Sequence, residues 1–121
     1  MKKIFIVEDE PTLLHILFDK FSDVGFQVFS AINGKDGLDL ALKNHPDTIL
    51  LDIIMPVMDG MTMLEKLRED SWGKKARVIL LTNLSDAEKV VKSSRQGVYD
   101  YLIKCDMTID EVIERVIKKS K

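Results

Sequence analysis

A chain of 121 residues, 45% hydrophobic and 31% charged, has room for one ordinary domain and too few residues for two; with three prolines and six glycines it does not read as disordered. Eighteen basic residues against twenty acidic ones leave a net charge of -2, which gives no support for direct nucleic-acid binding. A single cysteine, Cys105, excludes an internal disulfide, and no apolar run approaches the ~20 residues of a membrane span, so the sequence predicts a cytoplasmic chain with no membrane attachment.

The first apolar run, Ile4 to Val7, is shorter than a signal peptide requires and leads into the acids Glu8, Asp9 and Glu10. Pro11 suits the first turn of a helix whose stripe is Leu13, Leu14, Leu17, Phe18 and Phe21, and Gly25 suits its exit. A second run, Val28 to Ala31, precedes Asn33-Gly34 and a helical pattern with Leu38, Ala41 and Leu42. The third run, Thr48 to Leu51, stops on Asp52, after which MP and DG turn the chain. From about Gly60 the spacing of Leu64 and Leu67 predicts a third helix. Val78 to Leu81 is the fourth run and is followed by Thr82. Ser85 and Glu88, spaced as a capping box, open a thinly apolar helix over 85–97. Tyr101 to Ile103 is the fifth run and is followed by Lys104. Thr108 and Glu111 form a second capping box, ahead of Ile109, Val112, Ile113, Val116 and Ile117 on one face.

Three of these five runs are nearly continuous in β-branched or large aliphatic residues, as strands buried on both faces of a parallel sheet tend to be. Strand and helix alternate five times, which predicts an α/β fold: an open, doubly wound parallel sheet of five strands with helices on both faces. In such a sheet, Glu8, Asp9, Asp52, Thr82 and Lys104 all fall at the carboxyl edge, where these folds bind ligands. Clustered carboxylates raise one another's pKa, and an all-oxygen cluster suits a hard divalent cation such as Mg²⁺. A metal, an ammonium and a hydroxyl around one carboxylate make a site for a phosphoryl group on that carboxylate.

The ordered set VEDE, LLDIIMPVMDG, LLTN and DYLIK resembles the receiver domain of two-component response regulators, over residues 3 to 119. The chain is similar in length to a single-domain member such as the chemotaxis regulator. The resemblance implies a flavodoxin-like sheet of order 2-1-3-4-5 with five helices. It implies that Asp52 receives a phosphoryl group from a sensor histidine kinase or histidine phosphotransfer protein. Mg²⁺, or Mn²⁺ in its place, would be held by Asp9, Asp52, the backbone carbonyl of Ile54, and Glu8 directly or through water. Lys104 would contact the phosphoryl oxygens, Thr82 would move to them, and the rotamer of Tyr101 would follow. The expectation is one receiver domain over 1–121 with no output domain. It acts on a downstream protein or a separate output domain through the 85–121 face, as a monomer or a phosphorylation-dependent dimer.

Cys105 follows Lys104 where most receivers have proline, which leaves the cis or trans state of that peptide open. Asn83 replaces a smaller residue, and the apolar Ile54 and Leu84 flank the path of attacking water in the family, which predicts slow loss of the phosphoryl group. His15 and His45 read as surface or capping residues, and Trp72 as cover for a helix end. Met55, Met58, Met61 and Met63 read as gap fillers. A metal-dependent phosphohydrolase is disfavoured, because its common pattern puts an acid where Ile54 stands, so the chain is expected not to be an enzyme. A nucleotide-binding module lacks GxxxxGK[ST] and GxGxxG, and a flavodoxin-like electron carrier lacks paired loop aromatics for a flavin.

Overall fold

A computed structural model describes residues 2–83, 100–103 and 107–119, for 100, 101 and 103 the backbone alone. The chain runs through β1 (Lys3–Val7), α1 (Pro11–Asp23), β2 (Gln27–Ala31), α2 (Gly34–Asn44), β3 (Thr48–Asp52) and α3 (Gly60–Glu69). A single 3₁₀ turn (Gly73–Lys75), β4 (Val78–Thr82), β5 (Asp100–Ile103) and α4 (Ile109–Lys119) complete it. The helix expected over 85–97 lies outside the described residues. The 3₁₀ turn was not expected from the sequence.

The strands pair in parallel in the order β2-β1-β3-β4-β5. This is the strand order of the flavodoxin-like class. Every residue of β3 and β4 is buried, as their aliphatic runs require. Successive side chains on a strand point to opposite faces, so each strand feeds two cores. Phe5 and Val7 of β1, Ile49 and Leu51 of β3 and Val78 and Leu80 of β4 pack with Ala41, Leu64 and Leu67 of α2 and α3. Ile4, Ile6, Leu50, Ile79 and Leu81 face the other way, against Leu17 and Phe21 of α1 and Val112, Ile113 and Val116 of α4. Each buried valine, leucine, isoleucine or phenylalanine among them contributes roughly 1.5–3 kcal/mol. Met55 and Met63 are buried in the first core, with Met58 and Met61 packed against it, which is where soft gap fillers belong.

The helices start and stop where local chemistry directs. Pro11 occupies the first turn of α1, and the Glu10 carboxylate accepts from the N–H groups of Thr12 and Leu13. Gly25, at φ +98, takes the left-handed conformation just beyond the exit. Asn33 caps α2 through the N–H of Asp36, and Asp59 caps α3 through that of Thr62. Before α4, the Thr108 N–H donates to Glu111 Oε1 at 3.0 Å and the Glu111 N–H donates to Thr108 Oγ1 at 3.2 Å, the reciprocal pair expected from the sequence.

That box gives a pH signature. The Thr108 backbone N–H, and after it the Thr108 side chain, hold the Glu111 carboxyl below its ordinary value. An NMR titration is expected to show Glu111 titrating lower than a free glutamate. Thr108→Ala, which removes only the hydroxyl contact, should move it part of the way back. Because the folded value is the lower one, the cap's contribution is complete above the unfolded-state pKa and is lost as the pH falls through the folded one.

Candidate functional site

Register brings the acids together. Val7 of β1 lies beside Leu51 of β3, so Glu8 and Asp9 emerge next to Asp52, the last residue of β3. A carboxylate oxygen from each of the three lies within 4.8 Å of the other two. Glu8 is 1% exposed and Asp52 5%, while Asp9 is open to solvent. The Glu8 N–H is tied to the Ala31 carbonyl at the end of β2, and Glu8 Oε2 accepts from the Glu10 N–H at 3.1 Å. Asp52 Oδ1 accepts from the Ile53 N–H at 2.8 Å. Two nearly buried carboxylates and one open one, offering only oxygen donors, fit a hard divalent cation approached from the solvent side.

Thr82 ends β4 one residue beyond Leu81, the register partner of Asp52. It is buried, and its hydroxyl donates to the Asn83 carbonyl at 3.2 Å. Thr82 in turn pairs with Ile103 of β5, the residue before Lys104. Lys104, Cys105 and Leu84 lie outside the described residues, as does the side chain of Tyr101, whose backbone sits beside Leu80. Ile54 lies in the loop after β3 with its side chain about half exposed (49%).

The β3–α3 loop is clamped at several points. The Gly60 N–H donates to the Ile53 carbonyl and the Gly34 N–H to the Met58 carbonyl, each at 2.8 Å. A Cβ on Gly60 would collide with the Asp52 carbonyl, and one on Gly34 with the Met58 carbonyl, so both positions require glycine for close backbone approach. Between the clamps, the Met58 N–H reaches back to the Pro56 carbonyl at 2.7 Å, a γ-turn centred on Val57 at φ 68. This is the rare, strained form of the turn, and a β-branched residue suits it poorly. The DG pair marked this loop in the sequence, but nothing there signalled the strain at Val57.

Oxygen donors gathered at the carboxyl edge of a 2-1-3-4-5 parallel sheet define a flavodoxin-like domain with an acidic, metal-type pocket. The chain belongs to the response regulator receiver domain family, whose model matches residues 4–117. Receiver domains are the phosphoacceptors of two-component signalling. The chain is 38% identical over 104 residues to Protein PilH of Pseudomonas aeruginosa, covering 86% of each. It is 32% identical to the probable transcriptional regulator ycf27 of Porphyridium aerugineum, with 98% of this chain matched but only 51% of that longer protein. The receiver domain of the Francisella response regulator 1452 superposes with a TM-score of 0.87 at 31% identity, covering 99% of this chain and 97% of that one. Among the described residues no helix is long and apolar enough to cross a membrane.

Val57 is 78% exposed, so replacing it costs little packing. Val57→Asn, which tolerates positive φ, is expected to raise the urea midpoint by an amount equivalent to about 1 kcal/mol.

Proposed function

We propose that Asp52 is the phosphoacceptor of this receiver and takes its phosphoryl group from a histidine kinase or histidine phosphotransfer protein. The approach of Glu8, Asp9 and Asp52 to within 4.8 Å carries this reading, because such a cluster can share a divalent ion while leaving one Asp52 oxygen to attack. Asp52 Oδ1 is held by the Ile53 N–H at 2.8 Å. A carboxylate oxygen of Asp52 attacks phosphorus in line as the bond to the donor imidazole breaks. Mg²⁺, or Mn²⁺ in its place, held by Asp9, Asp52, the Ile54 carbonyl and Glu8 directly or through water, would neutralise carboxylate and phosphoryl charge. Lys104 binds a phosphoryl oxygen. Thr82 exchanges its bond to the Asn83 carbonyl for one to another phosphoryl oxygen, and Tyr101 follows it.

In this reading the complete domain has a fifth helix over 85–97, and the 85–121 face answers to the new charge on Asp52. The chain is a regulatory phosphoacceptor rather than an enzyme with turnover on a separate substrate. It works in the cytoplasm without binding nucleic acid itself, through a downstream protein or a separate output domain, as a monomer or a dimer formed on phosphorylation.

Intact-mass spectrometry after incubation with Mg²⁺ and a small acyl-phosphate donor tests the assignment. The expected result is a gain of one phosphoryl group by the wild type and none by Asp52→Asn; an equal gain by the variant would move the acceptor elsewhere. The half-exposed, apolar Ile54 has no polar atom on its side chain to orient a water. The phosphorylated protein in Mg²⁺ is therefore expected to lose its phosphoryl group over minutes or longer, and decay within seconds would contradict that role for Ile54.

A further inference from the structure

The segment between Asp52 and α3 is anchored at two carbonyls. Gly60, the first residue of α3, donates its N–H to the Ile53 carbonyl, and Gly34, the first of α2, donates to the Met58 carbonyl, both at 2.8 Å. The backbone of Ile54 is suspended between these two points. The Gly60 bond closes the segment on itself. The Gly34 bond ties it instead to the unit of β2 and α2, none of whose residues belongs to the acid cluster.

The shape held between the anchors is one the segment does not favour by itself. Val57 sits at φ 68, a conformation that a β-branched residue resists, and the Met58 N–H closes the turn on the Pro56 carbonyl. Ile54 and Val57 are largely open to solvent, so their side chains add little packing against that strain. Met55 is buried in the core and pins the middle of the segment. At the far end the restraint acts through the Met58 carbonyl, and its donor is Gly34. That donor stands on a formed helical turn. Asn33 Oδ1 accepts from the Asp36 N–H at 2.9 Å, and the Gly37 N–H donates to the Asn33 carbonyl at 3.0 Å. A Cβ on Gly34 would collide with the Met58 carbonyl and stand 3.0 Å from the Asp59 carbonyl oxygen, so the two backbones touch with no room to spare.

We propose that Gly34 is a positioning residue for the metal site: by fixing the Met58 carbonyl it sets where the Ile54 carbonyl stands, and with it the affinity for Mg²⁺. The inference rests on the reading of Glu8, Asp9, Asp52 and the Ile54 carbonyl as the ligand set. Mg²⁺ demands near-octahedral geometry, so a small displacement of one carbonyl is felt as lost affinity. The coupling is reciprocal. An ion that holds the Ile54 carbonyl also steadies the bond at Gly34, in a helix that supplies no ligand.

Two measurements on the full chain test this. Gly34→Ala is expected to raise the Mg²⁺ dissociation constant, read by titration calorimetry, about 10-fold. Gly73→Ala is the control, because its Cβ would strike the Leu67 carbonyl ahead of β4 and touch nothing near the acids. It should lower the urea midpoint and leave that constant unchanged. Amide exchange in the wild type requires no substitution in α2. Saturating Mg²⁺ should slow exchange at the Gly34 N–H about 10-fold more than at the Gly37 N–H, and Asp9→Asn should abolish the difference. If Gly34→Ala does not fold, the exchange measurement decides alone. Equal slowing at residues 34 and 37, or a folded Gly34→Ala that binds Mg²⁺ as the wild type does, would overturn the role of Gly34. Failure of the wild type to bind Mg²⁺ saturably would instead overturn the metal reading beneath it.

Discussion

The mutual repulsion of Glu8, Asp9 and Asp52 is the constraint around which the carboxyl edge is organised. For ionised carboxylates less than 5 Å apart, each pair costs roughly 1–4 kcal/mol, depending on how far solvent screens it. Nothing in the local sequence could hold them together against that cost. The register of β1 on β3 does so, and the register is secured by aliphatic side chains packed on both faces of both strands. The aliphatic stretches of β1 and β3, buried on both faces, are what keep three carboxylates side by side. A divalent cation shared among the three carboxylates would relieve that repulsion.

Much of this was legible in the sequence, for reasons that differ by element. The aliphatic runs of β1, β3 and β4 report burial on both faces. Pro11, Asn33-Gly34 and the Thr108/Glu111 box report helix starts through groups whose role is local. The acids could be placed on one edge because parallel topology puts every strand end there. What escaped depends on contacts between distant segments or on backbone angles. The stack of His45 on Trp72 joins positions far apart in the chain that no periodicity links. The 3₁₀ turn exists because Asp70 and Arg68 hold Gly73 and Ala76, a side-chain framework with no propensity signature. The strain at Val57 runs against propensity, since a β-branched residue in that turn is what sequence reasoning would least expect.

Among the described residues, Glu8, Asp9 and Asp52 gather where the strands finish, and Lys2, Lys75 and Arg77 line a groove with Asp47 where they begin. A formal charge of -2 hides this separation. Averaged composition therefore describes the chain's solubility better than its surface, and a partner meets a different molecule at each end.

The close approach of Gly60 to the Asp52 carbonyl, together with the bond from Gly34 to Met58, joins the starts of α2 and α3 to the segment after β3. Two helices and a connecting strap thus share anchor points at residues 34 and 60. Such coupling makes the strap a poor place for inserted residues, since lengthening it would unseat both helices at once.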